Sequence, residues 1–372
     1  MEDNKKMYMR RALELAKQGV GAVNPNPMVG AVIVKDNRII GEGYHKKYGE
    51  LHAERNAFAD CKERGEDPKG AELYVTLEPC CHYGKTPPCT EAIIENGITK
   101  VYIGSDDPNP LVAGKGIAML KEHGITVETG VLKEECDAVN EVFFHFIRNK
   151  LPFVVMKYAM TIDGKIATYT GASKWITGEE ARKRVHKDRN RYAAIMTGVG
   201  TVIQDNPQLT CRLENGNNPI RIICDTHLTT PLEANVVTTA KEVPTILATC
   251  CNDELRKKAY IEAGCQVLTV GAKCDSNGKQ FVDLSELMRK LGELKIDSIL
   301  LEGGSQLNWS ALSEGIVNKV QTYIAPKIFG GKTAKSPVSG IGVELPAHAY
   351  GLEIREVSRI GEDLFIESIV KR

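Results

Sequence analysis

The stretch His52-Ala53-Glu54, followed by Pro79-Cys80-Cys81-His82-Tyr83-Gly84-Lys85-Thr86-Pro87-Pro88-Cys89, decides how the first half of this chain is read. One imidazole and two thiolates make three protein ligands for zinc. Three ligands leave the fourth tetrahedral position to water, as in a catalytic zinc site, whereas a structural zinc knot normally closes with four Cys/His ligands. Glu54 follows His52 by two residues, close enough to exchange protons with that water without coordinating. His52 is predicted to open a helix running to about Arg64, and Pro88-Cys89 another that ends near Asn96-Gly97. A helix N-terminus carries partial positive charge that favours thiolate over thiol, which suits Cys89 to a metal.

A zinc-activated water with a non-ligand Glu beside it is the equipment of a zinc deaminase, which displaces an amino group from a ring carbon. The usual signature ends Pro-Cys-x-x-Cys, and here Cys80 and Cys89 stand much further apart. Together with Leu77-Glu78-Pro79-Cys80, that wide insert resembles the riboflavin-biosynthesis deaminases, whose cysteines are separated by more residues than those of cytidine deaminases. The resemblance implies that His52, Cys80 and Cys89 hold zinc and that Glu54 shuttles protons. Cys81 stands where a serine is expected in that family, and it is left out of the ligand set.

Composition narrows the partners. A chain of 372 residues is long enough for two domains, each with its own core. With 42% hydrophobic and 26% charged residues it has the make-up of an ordinary soluble protein. Lys+Arg and Asp+Glu balance at 48 each, so there is no net basic field to hold DNA or RNA, and a small substrate is expected. Met1-Glu2-Asp3-Asn4-Lys5-Lys6 precedes no long apolar core, and no run approaches the roughly 18 apolar residues of a membrane span. Eleven cysteines without a disulfide-like framework fit a reducing compartment, the cytoplasm. Cys61, Cys136, Cys211, Cys224, Cys250, Cys251, Cys265 and Cys274 read as plain thiols.

Helical spacing predicts a first helix from about Lys5 to Gln18, ended by Gly19 and Gly21. Asn24-Pro25-Asn26-Pro27 is a turn, and Val29 to Val34 and Ile39 to Tyr44 are predicted strands joined at Asp36-Asn37. Strands at Leu73 to Thr76, Val101 to Ser105 and Ile125 to Thr129 alternate with helices, the last a long one from Lys133 to Lys150, which implies a layered sheet flanked by helices. On residues alone Asn26 is equally a turn former, His45 a strand-end histidine, and Asp106-Asp107-Pro108-Asn109-Pro110 a Pro-rich turn. The resemblance implies instead that Asn26 and His45 contact the base, and that Lys85, Asp107 and Asn109 contact the ribose phosphate, for which Lys85 supplies positive charge. Pro152 cannot continue a helix, so a boundary is expected near residue 150, between a deaminase domain at 1–150 and a second domain at 151–372.

Beyond the boundary, strands are predicted at Phe153 to Tyr158, Ala194 to Gly198, Ile220 to Asp225, Thr245 to Ala248, Gln266 to Val270, Ser298 to Glu302 and Val320 to Ile324, with two more near the C-terminus. Helical patterns alternate with them, so this half is also α/β. The Gly-x-Gly-x-x-Gly fingerprint begins at Gly198-Val199-Gly200 and fails at its third glycine, so periodicity names no cofactor. Four segments nevertheless resemble the riboflavin-pathway reductases: Met160-Thr161-Ile162-Asp163-Gly164-Lys165; Ser173-Lys174-Trp175-Ile176-Thr177; Gly200-Thr201-Val202 with Asp205-Asn206-Pro207-Gln208-Leu209-Thr210; and Leu301-Glu302-Gly303-Gly304. Nearly end to end, the chain is similar to the bifunctional riboflavin-biosynthesis deaminase/reductase family.

That similarity implies a cytidine-deaminase-like three-layer domain followed by a dihydrofolate-reductase-like α/β domain that binds NADPH without the Rossmann fingerprint. It implies NADPH contacts from Ala159, Trp175, Thr201, Asp205, Thr226 and the amides after Gly304, where a glycine-rich turn before a helix suits a pyrophosphate. It implies substrate contacts from Ser173, Arg189, Leu209, Arg212 and Glu302, with Arg189 and Arg212 on the phosphate and Lys157 beside the reacting sugar carbon. Without it, Trp175 reads as core, Arg189 as a solvated helix charge and Asp205 as a turn former. The expected partners are small phosphorylated pyrimidines and a second copy of the chain. Two rival functions are weaker. A nucleic-acid base deaminase predicts basic or aromatic surfaces, against a net charge of zero and 6% aromatics. A non-enzymatic zinc module leaves Glu54 and the C-terminal motifs without a role.

Overall fold

The computed structural model describes residues 2–83, 87–275 and 278–371, so the expected phosphate contact Lys85 lies outside the described residues. The chain divides into two compact units, Met1–Lys150 and Leu151–Arg372.

In the first unit α1 (Glu2–Ala16) precedes a hairpin of β1 (Gly30–Lys35) and β2 (Arg38–Tyr44). Asp36 and Asn37 both have positive φ, 52° and 58°, the left-handed pair that lets a two-residue loop follow the strand twist. Three helix-then-strand segments are described next: α2 (Ala53–Glu63) and β3 (Glu72–Leu77), α3 (Cys89–Glu95) and β4 (Lys100–Ser105), α4 (Lys115–Glu122) and β5 (Thr126–Thr129). The sheet runs β2-β1-β3-β4-β5, antiparallel up to β3 and parallel from there. Strand side chains alternate between faces. Ala31, Ile33, Leu73, Val75, Val101 and Ile103 pack on α2, α3 and α4, while Val32, Val34, Tyr74 and Tyr102 pack on α1 and α5 (Lys133–Val139). The result is three layers. Helix α2 lies unusually close to β2, since a Cβ on Gly43 would stand 2.3 Å from the Ala57 nitrogen.

The single helix expected from Lys133 to Lys150 is in fact two, α5 and α6 (Glu141–Asn149). Asn140, buried between them, accepts from the Met28 amide and donates to the Met28 carbonyl, each at 2.9 Å. The helix is broken where a side-chain amide ties down the loop that carries Asn26.

In the second unit the elements are β6 (Phe153–Thr161), α7 (Glu179–Arg191), β7 (Ala194–Gly198), α8 (Val199–Asp205), β8 (Ile220–Cys224), α9 (Asn235–Thr238), β9 (Thr245–Thr249), α10 (Glu254–Glu262) and β10 (Gln266–Thr269). A short ribbon, β11 (Ala272–Cys274) and β12 (Gln280–Val282), precedes α11 (Leu284–Glu293), β13 (Ser298–Leu301), α12 (Ser305–Ser313), β14 (Val317–Ala325), β15 (Leu352–Ile360) and β16 (Asp363–Val370). The main sheet runs β10-β9-β8-β7-β13-β6-β14-β16-β15, parallel as far as β14 and antiparallel at its last two strands. Met156, Met196 and Ile222 pack under α11 and α12, and Ile195, Ile223 and Leu247 pack under α8, α9 and α10. The late strand β13 is inserted between β7 and β6, so the order of strands reverses there. In open α/β sheets a crevice opens beyond the carboxyl ends of the strands at such a reversal.

Candidate active sites

In the first unit, capping geometry brings the zinc donors together. His52 is the extended residue before α2, Cys89 is the first residue of α3, and Cys80 lies in the turn after β3. Their ligand atoms all lie within 4.8 Å of one another, with His52 Nδ1 at 3.5 Å from Cys80 Sγ and 3.4 Å from Cys89 Sγ. Tetrahedral zinc, with bonds of about 2.3 Å to sulfur and about 2.0 Å to nitrogen, holds its ligand atoms about 3.6 Å apart. The donor set and its spacing therefore fit zinc. The Cys89 thiol and the His52 ring hold the Cys80 thiol down at about 4, and Cys89 keeps the proton of the pair. Glu54, buried in the first turn of α2, has its carboxyl pushed up by burial and by the Cys80 thiolate. Cys81 Sγ is directed elsewhere, to the Leu111 carbonyl at 3.8 Å.

His45 is buried beside His52, the rings edge to face at 5.4 Å. Its Nδ1 donates to the Leu51 carbonyl at 3.0 Å and its Nε2 accepts from Asn26 Nδ2 at 3.2 Å, and burial shifts the ring's pKa down. Asp107 and Asn109 shape their own loop: Asp107 accepts from the Asn109 amide at 2.8 Å and Asn109 from the Leu111 amide at 3.1 Å. Burial pushes the Asp107 carboxyl up to about 6. Sequence reasoning missed Glu78. Its buried carboxylate accepts from the amides of Asp107, Gly114 and Ile117 at 3.4, 3.1 and 3.3 Å, and so joins the N-terminus of α4 to the turn carrying Cys80. No local signal marks it, because its partners are brought in by tertiary packing.

In the second unit a cavity of about 1250 Å³ opens at the carboxyl ends of β6, β7, β8 and β13. Its walls include every residue expected there: Lys157, Ala159, Ser173, Trp175, Arg189, Thr201, Asp205, Leu209, Arg212, Thr226, Glu302 and Gly304. The N-termini of α8 and the nine-residue α12, behind Gly198 and Gly304, both line it, and such ends favour anionic phosphate groups. The buried Asn308 Oδ1 has no partner among the described residues and would stand 3.1 Å from a Cβ on Gly303, so this wall is built close to the backbone. These features fit NADPH.

The charges at the cavity floor are paired. Arg189 forks onto Glu302 with bonds of 2.7 and 3.0 Å and donates to the Thr210 carbonyl at 3.0 Å, while Lys157 Nζ lies 3.5 Å from Glu302. Burial pushes the Glu302 carboxyl up, but Arg189 and Lys157 outweigh it and hold Glu302 at about 2. Arg189, expected on the substrate phosphate, is thus paired with Glu302 at the cavity floor. Arg212 has no side-chain partner among the described residues and is exposed. Trp175 is a surface residue, 62% exposed, with the Arg182 guanidinium 4.6 Å above its ring. Sequence reasoning also missed His186, which lines the cavity one helical turn before Arg189. Its one sequence signal is that i,i+3 spacing.

A three-donor zinc site beside a buried glutamate, joined in one chain to a dinucleotide-sized cavity on an α/β sheet, defines a bifunctional deaminase/reductase. Residues 2–105 match the cytidine and deoxycytidylate deaminase zinc-binding region, and residues 152–366 match the RibD C-terminal domain. The riboflavin biosynthesis protein RibD of Actinobacillus pleuropneumoniae is 55% identical over 363 residues, covering 98% of this chain and 94% of that one. The Escherichia coli protein of the same name is 37% identical over 376 residues, covering 97% and 98%. A solved structure from Thermotoga maritima, described as a diaminohydroxyphosphoribosylaminopyrimidine deaminase/5-amino-6-(5-phosphoribosylamino)uracil reductase, superposes with a TM-score of 0.85 at 39% identity, covering 100% and 99% of the two chains. The chain belongs to the RibD family of riboflavin biosynthesis proteins. The expected fold class, cytidine-deaminase-like and then reductase, is the one found.

Proposed function

We propose that this chain deaminates 2,5-diamino-6-ribosylamino-4(3H)-pyrimidinone 5′-phosphate and then reduces the ribosyl group of the resulting aminouracil to ribityl. Zinc held by His52, Cys80 and Cys89 supplies the Lewis acid that makes water nucleophilic near neutral pH. Glu54 would carry the two protons of that water in turn, one to the ring nitrogen and the other to the amino group that leaves as ammonia, so that oxygen replaces it. Its upward-shifted carboxyl suits a group that must both accept and give a proton. Asn26 and His45 hold the base, and Asp107, Asn109 and Lys85 hold the ribose phosphate.

NADPH supplies a hydride to C1′ of the sugar in the second unit. Ala159, Trp175, Thr201, Asp205, Thr226 and the amides after Gly304 bind it. Ser173, Leu209 and Glu302 contact the substrate, Lys157 sits beside C1′, and Arg189 and Arg212 grip the phosphate. Arg189 does so while paired with Glu302.

The observation that carries this reading is the convergence of His52 Nδ1, Cys80 Sγ and Cys89 Sγ beside the buried Glu54. Purified protein, assayed for zinc, is incubated with the diaminopyrimidine phosphate or with an oligonucleotide. Ammonia release from the former, followed by NADPH oxidation, is expected; deamination of the oligonucleotide instead would overturn the assignment.

A second copy of the chain is the proposed protein partner. Edge strand β15 exposes Leu352, Ile354 and Val357, and exposed apolar edges invite pairing. A monomeric mass in sedimentation equilibrium would refute it. The cytoplasm is the proposed location; none of the eleven cysteines is in a disulfide, and no helix among the described residues is long and apolar enough to cross a membrane.

A further inference from the structure

The segment that presents Arg212 has no regular secondary structure, yet it is bolted to α7 at successive points. Arg189 donates to the Thr210 carbonyl at 3.0 Å, the Cys211 thiol donates to the His186 carbonyl at 3.4 Å, and the Arg212 amide donates to His186 Nδ1 at 3.3 Å. Asn190 then accepts from the Asn217 amide at 2.8 Å. Residues 186, 189 and 190 are three and four apart, so they share one helical face. Of these bolts, the one from His186 reaches the backbone of Arg212 itself.

We propose that His186 is a positioning residue that, by accepting the Arg212 amide proton at Nδ1, fixes the segment so that Arg212 presents its guanidinium to the substrate phosphate. This role presupposes the phosphate contact proposed above for Arg212. An imidazole that accepts at Nδ1 is neutral and carries its proton at Nε2. The surroundings favour that form: partial burial and the cations Arg189, Arg212 and Lys157 disfavour a charged ring, opposed by Glu302 alone. A loop held in its bound conformation loses less freedom when the ligand arrives, and this is how a residue that touches no substrate raises affinity.

The test uses the zinc-loaded full chain, already deaminated substrate, and NADPH oxidation as readout. His186→Ala is expected to raise the substrate KM about two- to tenfold, the worth of one neutral hydrogen bond, and to leave the NADPH KM unchanged. His186→Asn places Oδ1 where Nδ1 stood and restores the substrate KM; His186→Gln, whose amide reaches the Nε2 position, does not. Rescue by Gln and not by Asn would mean that Nε2 meets the substrate directly and would overturn the proposal, as would an unchanged KM in His186→Ala. Because His186 acts through Arg212, adding His186→Ala to Arg212→Ala should raise KM no further, and a further rise would refute the coupling. If Arg212→Ala alone leaves the substrate KM unchanged, the phosphate assignment itself fails. If Arg212→Ala raises it and His186→Ala does not, only the positioning role fails.

Discussion

Replacing Glu302 by Gln keeps the side chain's size and removes a buried negative charge that Arg189 and Lys157 both face. Burial alone would raise the Glu302 carboxyl, yet the two cations hold it at about 2 against an ordinary value of 4.5. At about 1.4 kcal/mol for each tenfold change in proton affinity, this depression corresponds to about 3 kcal/mol of stability. Breaking one partner out of a buried ion pair costs a similar ~3–5 kcal/mol, because the partner charge is left uncompensated. The folded value is the depressed one, so the stabilisation is fully present above about pH 4.5 and is lost as pH falls towards 2. Trp175 and Trp309 are the only tryptophans and both lie in the Leu151–Arg372 unit, so their fluorescence follows the unfolding of that unit. Urea unfolding at pH 7 should show Glu302→Gln less stable by about 3 kcal/mol, and its stability should fall less steeply than the wild type's as pH drops below 4.5. A loss under about 1 kcal/mol at pH 7, the scale of an exposed pair, would show that the cluster is solvated and refute the reasoning.

Glu54→Gln should lower deamination by about 10²–10⁴-fold while zinc stays bound, as loss of a general acid–base group does. The same variant, given deaminated substrate, should oxidise NADPH at the wild-type rate, and a joint collapse of both activities in folded, zinc-loaded protein would mean one composite site. Cys81→Ser should retain one zinc per chain by elemental analysis, since its sulfur is directed to the Leu111 carbonyl, and Cys89→Ser should lose it. Loss of zinc from Cys81→Ser would bring that residue into the ligand set.

Features under local control are legible in the amino-acid sequence. The helix start at Pro88-Cys89 follows from proline chemistry, and the Asp36-Asn37 hairpin from its turn residues. The principal strands of the second unit follow from runs of apolar and β-branched residues, with ends displaced by at most three residues. The β11–β12 ribbon escaped because its two strands are three residues each, mostly exposed and without an apolar pattern. The break at Asn140 escaped for a different reason. The apolar face of 133–150 is continuous with a helix, and the interruption comes from a contact with Met28, more than a hundred residues away.

The pairing of Arg189 with Glu302 has the same origin on a larger scale. On residues alone Arg189 reads as a solvated helix charge, its phosphate role is implied by the family resemblance, and no local window sets a carboxylate opposite it. The anion arrives through topology: β13 enters the sheet between β7 and β6, and its carboxyl end sets Glu302 opposite Arg189, 113 residues earlier, and against Lys157 on the neighbouring strand. Once Glu302 is there, a buried carboxylate flanked by two cations is far cheaper than any of the three charges alone. Arg189 is thereby paired, while the Arg212 side chain has no partner among the described residues. The charge pairing at the floor of this cavity is thus set by strand order, which no window of local sequence contains.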